Sequence, residues 1–170
     1  MKFFHYSFFS LLYVLFFLLP SQASAHGDIS KYPPAVQILQ YKMALFMNPD
    51  DLETKNRLAI AYWLDGQMDE AQKQFGQVLG KDPRNFNALD GMGLVYLKKG
   101  KPEIAMEYFE KAEQINPSDV LVHVHKALTY AKLKKTEEAN KEFERARSLA
   151  RGPIQQKKIK DEIKLLSKTR

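Results

Sequence analysis

Cysteine is absent from this chain of 170 residues. No disulfide framework, thiolate metal site or cysteine nucleophile can be built, and no lipid can be attached through an N-terminal cysteine. Histidine is scarce, with only His5, His26, His123 and His125. His123 and His125 stand two apart in a helical pattern, so their side chains diverge and make no chelating pair. His26 would become the first residue after removal of a leader, where an amine and an imidazole can together hold copper. That arrangement wants a second histidine held nearby, so structural or incidental histidines are expected rather than a metal site. A phosphate-cradling glycine loop is also missing, since Gly91 and Gly93 lie inside a helical pattern where Gly93 serves close packing. Nothing resembles a nucleophile beside its base. Neither catalysis nor a cofactor is expected.

There is no low-complexity tract, and the body of the chain has no charge excess. From His26 to Ala150 there are 18 basic and 18 acidic residues, so the net charge of +6 comes mainly from the end. Arg151 to Arg170 carries seven Lys or Arg against Asp161 and Glu162. Such a block bears on partners and solubility rather than on the fold. No nucleic-acid partner is expected.

What is present begins with a targeting segment over residues 1–25. Lys2 precedes an apolar run, Pro20 breaks it, and Ala23, Ser24 and Ala25 supply the small residues of a cleavage site. A spanning helix needs about 20 apolar residues. Phe3 to Leu19 is a mostly apolar stretch of only 17 residues, so a cleaved signal peptide is expected over a retained anchor. Either outcome places the rest outside the cytoplasm, periplasmic or secreted.

The remainder is periodic. Tyr62, Tyr96 and Tyr130 are 34 apart, as are Ala71, Ala105 and Ala139, and Phe75, Phe109 and Phe143. Ala59, Gly93 and Ala127 keep the same step, as do Val78, Ala112 and Ala146, and Pro49, Pro83 and Pro117 close successive units. A period in this range means stacked repeats. The small residues let two helices of one unit approach, and Tyr and Phe fill the space between them. One unit alone leaves an apolar side exposed, so stacking of units builds the core. Helices are predicted near Ala35–Met47, Leu52–Leu64, Asp69–Gly80, Phe86–Lys98, Pro102–Ile115, Val120–Leu133, Glu137–Ala150 and Pro153 to about Ser167. Asp82-Pro83 and Asn116-Pro117 stop helices, Gly66 and Gly100 serve turns, and Thr136 is expected as an N-cap.

Spacing and residue types together resemble the tetratricopeptide repeat family. The second copy matches at Leu89, Met92-Gly93, Tyr96, Ala105, Phe109, Ala112 and Pro117. The first departs at Lys55, and the third at His123, Lys126, Lys134 and Arg151, so the outer side of the third should be the least regular. The resemblance implies an all-α, right-handed superhelical solenoid of helix-turn-helix repeats with an N-terminal helix and a C-terminal capping helix. The expected divisions are a leader and degenerate half-repeat at 26–51, repeats at 52–85, 86–119 and 120–153, and a basic cap at 154–170. In the half-repeat, Tyr41, Ala44 and Pro49 take the Phe, Ala and Pro places.

The family binds partners in a concave groove formed by the first helix of each unit. Carried over, its places fall on Glu53, Asn56, Ile60, Trp63 and Leu64, then Asn87, Asp90, Leu94, Leu97 and Lys98, then Leu121, Val124, Leu128, Ala131 and Lys132. The stripe is mainly apolar and lacks the Lys/Asn/Arg carboxylate clamp of some members. It implies a protein partner, either a peptide or an amphipathic helix, with Trp63 as the anchor. Homo-oligomerisation is the alternative. On the closing helix Lys157, Lys160, Lys164 and Lys168 share one side, opposite Ile159, Ile163 and Leu166. This is expected to be a solvating cap, with weak anionic-membrane contact as the sharper reading.

Overall fold

A computed structural model describes residues 29–167. The targeting segment expected over residues 1–25, His26 and Lys168 lie outside the described residues. The chain divides into two units, Met1–Pro33 and Pro34–Arg170. The described part of the first is a 3-10 turn, Ile29–Lys31, where the Tyr32 N–H donates to the Ile29 carbonyl at 3.1 Å. The second unit contains α1 (Pro34–Met47), α2 (Leu52–Leu64), α3 (Met68–Lys81), α4 (Phe86–Lys98), α5 (Pro102–Ile115), α6 (Val120–Lys132), α7 (Thr136–Leu149) and α8 (Pro153–Ser167). No strand occurs among the described residues. It is an all-α repeat solenoid.

The helices keep the step of 34 themselves: α1, α3, α5 and α7 begin at Pro34, Met68, Pro102 and Thr136. The first helices of the three full units, α2, α4 and α6, begin at Leu52, Phe86 and Val120. Their caps repeat too. Asp51 accepts from the Glu53 N–H at 3.1 Å, Asn85 from Ala88 at 3.1 Å, and Asp119 from Leu121 and Val122 at 2.9 and 3.1 Å. Each satisfies amide groups that have no partner inside the helix. The second helices have no side-chain cap, and Thr136 is the first helical residue of α7 rather than its N-cap, which is Lys135. The preceding turn already positions Lys135, whose N–H reaches the Tyr130 carbonyl at 2.9 Å.

That turn recurs between the helices of each unit. Gln67, Lys101 and Lys135 donate to Tyr62, Tyr96 and Tyr130 five residues back, all at 2.9 Å. The geometry puts the intervening residue in the left-handed region: Gly66 at φ 82°, Gly100 at φ 71°, and Lys134 at φ 61°. Only glycine enters that region freely. Lys134→Gly is therefore expected to raise stability by about 1 kcal/mol, measured by urea denaturation. No change would mean that the lysine side chain compensates locally.

Consecutive helices pack as hairpins, α1 lies on α2, and α8 lies on α6 as a further first helix would. Ala71, Phe75, Val78, Ala105, Phe109 and Ala112 are buried between the layers. A Cβ on Gly93 would strike the Phe109 ring, and one on Gly91 would strike the Phe75 ring, so both glycines admit an aromatic edge against the α4 backbone. At the place of Gly91 the third unit has His125, whose ring meets Phe109 with centroids 5.4 Å apart.

Candidate functional site

The inner layer is made by α2, α4, α6 and α8, and its open concavity lies over the last three. A cavity of about 480 Å³ is lined by Leu94, Leu97, Lys98, Gly100, Leu128, Ala131, Lys132, Leu166 and Ser167. Six residues of the sequence-derived groove thus come together: Leu94, Leu97, Lys98, Leu128, Ala131 and Lys132. The i, i+3 and i+4 spacing on α4 and α6 puts them on one side of each helix.

The others are placed differently. Trp63 is 4% exposed, with the Lys98 ammonium 5.0 Å above its ring centroid and its indole N–H buried without an acceptor. Its burial removes it as a docking anchor: α4 covers the indole, and Lys98 stacks on it by a cation–π contact. Val124 is fully buried beneath α8 with Ala146, Ala150 and Ile159. Asn56 is buried as well, and its amide donates to Asn85 Oδ1 at 2.9 Å, linking two first helices. Ile60 and Leu64 are exposed, away from the residues lining the cavity. Sequence reasoning omitted Gly100, Leu166 and Ser167 from the groove. The signal for the last two was the apolar side of α8, which also serves as groove wall. On that helix Lys157, Lys160 and Lys164 are exposed.

Asp90 has a structural duty. His125, 1% exposed, has Nδ1 at 2.7 Å from Asp90 Oδ1 and Nε2 at 3.2 Å from Glu162 Oε1. An imidazole facing a carboxylate at each nitrogen must donate from both, which requires the imidazolium. Burial opposes that charge, but the two carboxylates outweigh it and hold the pKa at about 10. The arrangement clasps α8 to α6 and α4.

A second polar cluster lies on the other side of α6. Lys126, 6% exposed, donates to Glu113 Oε2 at 2.6 Å and Glu142 Oε1 at 2.8 Å. The fully buried His123 places Nδ1 at 2.7 Å from Glu142 Oε2 and Nε2 at 3.0 Å from the Pro117 carbonyl. One unit earlier the four positions hold Leu79, Leu89, Met92 and Tyr108. Of these, Leu79, Leu89 and Tyr108 pack in an apolar cluster. The departures of His123 and Lys126 from the repeat pattern are thus matched by acids at Glu113 and Glu142. Together they form a buried ionic junction between the second and third units. Among the described residues no group of three or more His, Asp or Glu is arranged to hold a metal ion.

Residues 57–155, more than half the chain, match the family described as the TT21 fifth ARM repeats domain. With the step of 34, the hairpins and their stacking already established, the assignment is direct. The chain belongs to the tetratricopeptide class of helical repeat proteins. It is similar to a TPR repeat-containing protein of Rhizobium etli, 30% identical over 102 residues that cover 60% of this chain and 49% of the relative. It is also similar to the photosystem I assembly protein Ycf3 of Prochlorococcus marinus, 32% identical over 80 residues covering 46% of this chain and 44% of that one. The chain spans about half the length of these two curated relatives. Among solved structures it superposes on TTC0263, a thermophilic TPR protein of Thermus thermophilus, with a TM-score of 0.64 and 24% identity over 68% of this chain and 66% of that one. MamA gives a TM-score of 0.60 at 22% identity, covering 68% of each chain. At these identities the structural likeness shows the fold alone. Among the described residues the concavity is one recess, and a second, of about 620 Å³, lies between α7 and α8 beside Glu144, Arg147 and Ile159.

Proposed function

We propose that this protein is a non-enzymatic adaptor that holds a segment of a partner protein in the concavity of α4, α6 and α8. The observation that carries this reading is the pairing of half-buried apolar side chains (Leu94, Leu128 and Leu166) with the two cations Lys98 and Lys132 in one open recess. That chemistry suits an amphipathic helix or extended segment with apolar anchors and an acidic residue beside them. The apolar segment over residues 1–25 supports an extracytoplasmic, periplasmic setting for the assembly.

The test is affinity capture from cross-linked envelopes, with Leu94→Ala/Leu128→Ala and Lys98→Glu/Lys132→Glu run beside the wild type. Loss of one hot-spot side chain costs about 2 kcal/mol, or roughly thirtyfold in Kd. Both variants are therefore expected to lose the captured partner while keeping the wild-type helical circular dichroism. The same partner recovered from all three proteins would remove the concavity as the docking site. Trp63→Ala is unsuited to this purpose, because a buried indole reports on stability rather than docking.

A further inference from the structure

The repeats provide their own control for what an exposed position on a second helix normally holds. Helix α1 is in register with α3, α5 and α7, and Tyr41 and Gln37, in the Phe and first Ala places, are its two buried residues. Its outward positions differ in kind from those of the other three. Where the full units present Lys73, Glu107 and Lys141, α1 has Leu39; where they present Gln77, Lys111 and Arg145, it has Met43. Phe46 stands in the place of Gly80, Gln114 and Ser148. All nine of those counterparts are exposed. Leu39, Met43 and Phe46 are 60%, 63% and 86% exposed. Spaced by four and three residues, they form one stripe along the helix.

Stacking of another repeat does not account for the stripe. In the second unit these positions stay exposed although a full unit stands on each side. A helix placed ahead of α1 would therefore leave them bare. The place such a helix would cover is marked by Ala44, which is exposed where Val78, Ala112 and Ala146 are fully buried.

The charges point to the occupant. Asp69, Glu103 and Glu137 open the other second helices, where an acid favours the helix dipole, yet α1 has Ala35 there. Lys42 replaces Gly76, Glu110 and Glu144. From Ile29 to Pro49 there is no acid at all. An apolar stripe with Lys42 beside it and no carboxylate from Ile29 to Pro49 suits an anionic lipid surface, where burial of the stripe and attraction of the cation act together. A second copy fits less well, since an antiparallel pairing centred on α1 brings both Lys42 side chains within about one helical turn.

We infer that the outer stripe of α1, with Lys42 beside it, docks this protein on the surface of an anionic lipid bilayer. The contact leaves the concavity of α4, α6 and α8 open to a partner and does not depend on that reading.

Flotation of residues 26–170, which contain the whole compact unit Pro34–Arg170, tests this directly. Vesicles of phosphatidylglycerol mixed with phosphatidylcholine are compared with phosphatidylcholine alone. The variant is Leu39→Lys/Met43→Gln/Phe46→Ser, which installs residues that the same fold already carries at Lys73, Gln77 and Ser148. Its circular dichroism and monomeric sedimentation should match the wild type. The wild type is expected to float with the anionic vesicles, and the variant to bind on the order of a hundredfold more weakly. Lys157→Gln/Lys160→Gln/Lys164→Gln should retain binding, which separates α1 from the basic closing helix. Equal flotation of the wild type and the α1 variant, or none of either, overturns the inference. So does a lipid-free dimer abolished by the α1 variant, which would give the stripe to a second copy.

Discussion

Lys126→Met alone is expected to lower unfolding free energy by about 3–5 kcal/mol, because it leaves buried carboxylates without their cation. Glu113 and Glu142 would lose bonds of 2.6 and 2.8 Å to the ammonium, leaving His123 bonded to Glu142 and 3.9 Å from Glu113. A domain is stable by only about 5–15 kcal/mol, so the variant should be partly unfolded near growth temperature. The fourfold change Glu113→Leu/His123→Leu/Lys126→Met/Glu142→Tyr should bring stability back to the wild-type value or above it. It writes the apolar junction of Leu79, Leu89, Met92 and Tyr108 into the next interface, and well-packed apolar replacements of buried ion networks are commonly neutral or stabilising. Chemical denaturation of the two variants decides the point. If the single change is harmless, the network is not holding the units together. If the fourfold variant is as weak as the single one, the two interfaces differ in more than these four residues.

The junction also has an acid limit. Burial acts against the Glu142 charge, but the bonds from Lys126 and His123 outweigh it and hold this carboxyl below its ordinary range. A lowered folded value contributes stability above the unfolded value, and the contribution is lost as pH falls through the folded one.

His125→Gln is the second large effect, at about 3 kcal/mol for breaking a buried charge pair. Asp90 and Glu162 would then face each other without the imidazolium, and α8 should detach first. Hydrogen exchange is expected to quicken across Pro153–Ser167 while α2 to α5 keep their protection. The sign with pH is opposite to that of Glu142. His125 titrates at about 10 when folded and 6.5 when unfolded, so its contribution is complete below pH 6.5 and is lost as pH rises through 10. Thermal midpoints taken between those values should fall more steeply for the wild type than for His125→Gln. Parallel curves would mean that the clasp does not carry the charge assigned to it. Because Leu166 and Ser167 close one end of the cavity, loss of α8 should also weaken partner capture.

The 34-residue step was legible because each repeat solves the same packing problem with the same residues. Alanine or glycine must lie where two helices cross, and Tyr and Phe must fill what remains. Departures such as Lys126 and His123 were visible as departures, but their partners were not. Glu113 lies 13 residues before Lys126 and Glu142 lies 16 after it, and pairs at such spacings leave no periodic trace. Trp63 was misplaced for a related reason. Its position in the repeat says which helix face it occupies, whereas the covering of that face by α4 and the Lys98 side chain is a property of stacking.

Sequence alone therefore determined the all-α class, the hairpin unit, the order and bounds of the helices within about a residue or two, and the apolar character of the inner layer. These follow from local spacing and from short-range sterics that any copy of the unit must obey. Tertiary structure decided which inner residues remain open to a partner, that α8 extends the groove as well as closing the end, and that His125 joins three first helices through two carboxylates. It also showed that the apolar stripe of α1 falls where the other second helices meet water. Each of these depends on how far neighbouring helices advance across one another, a distance set by the packing of whole faces and absent from the pattern of any single helix.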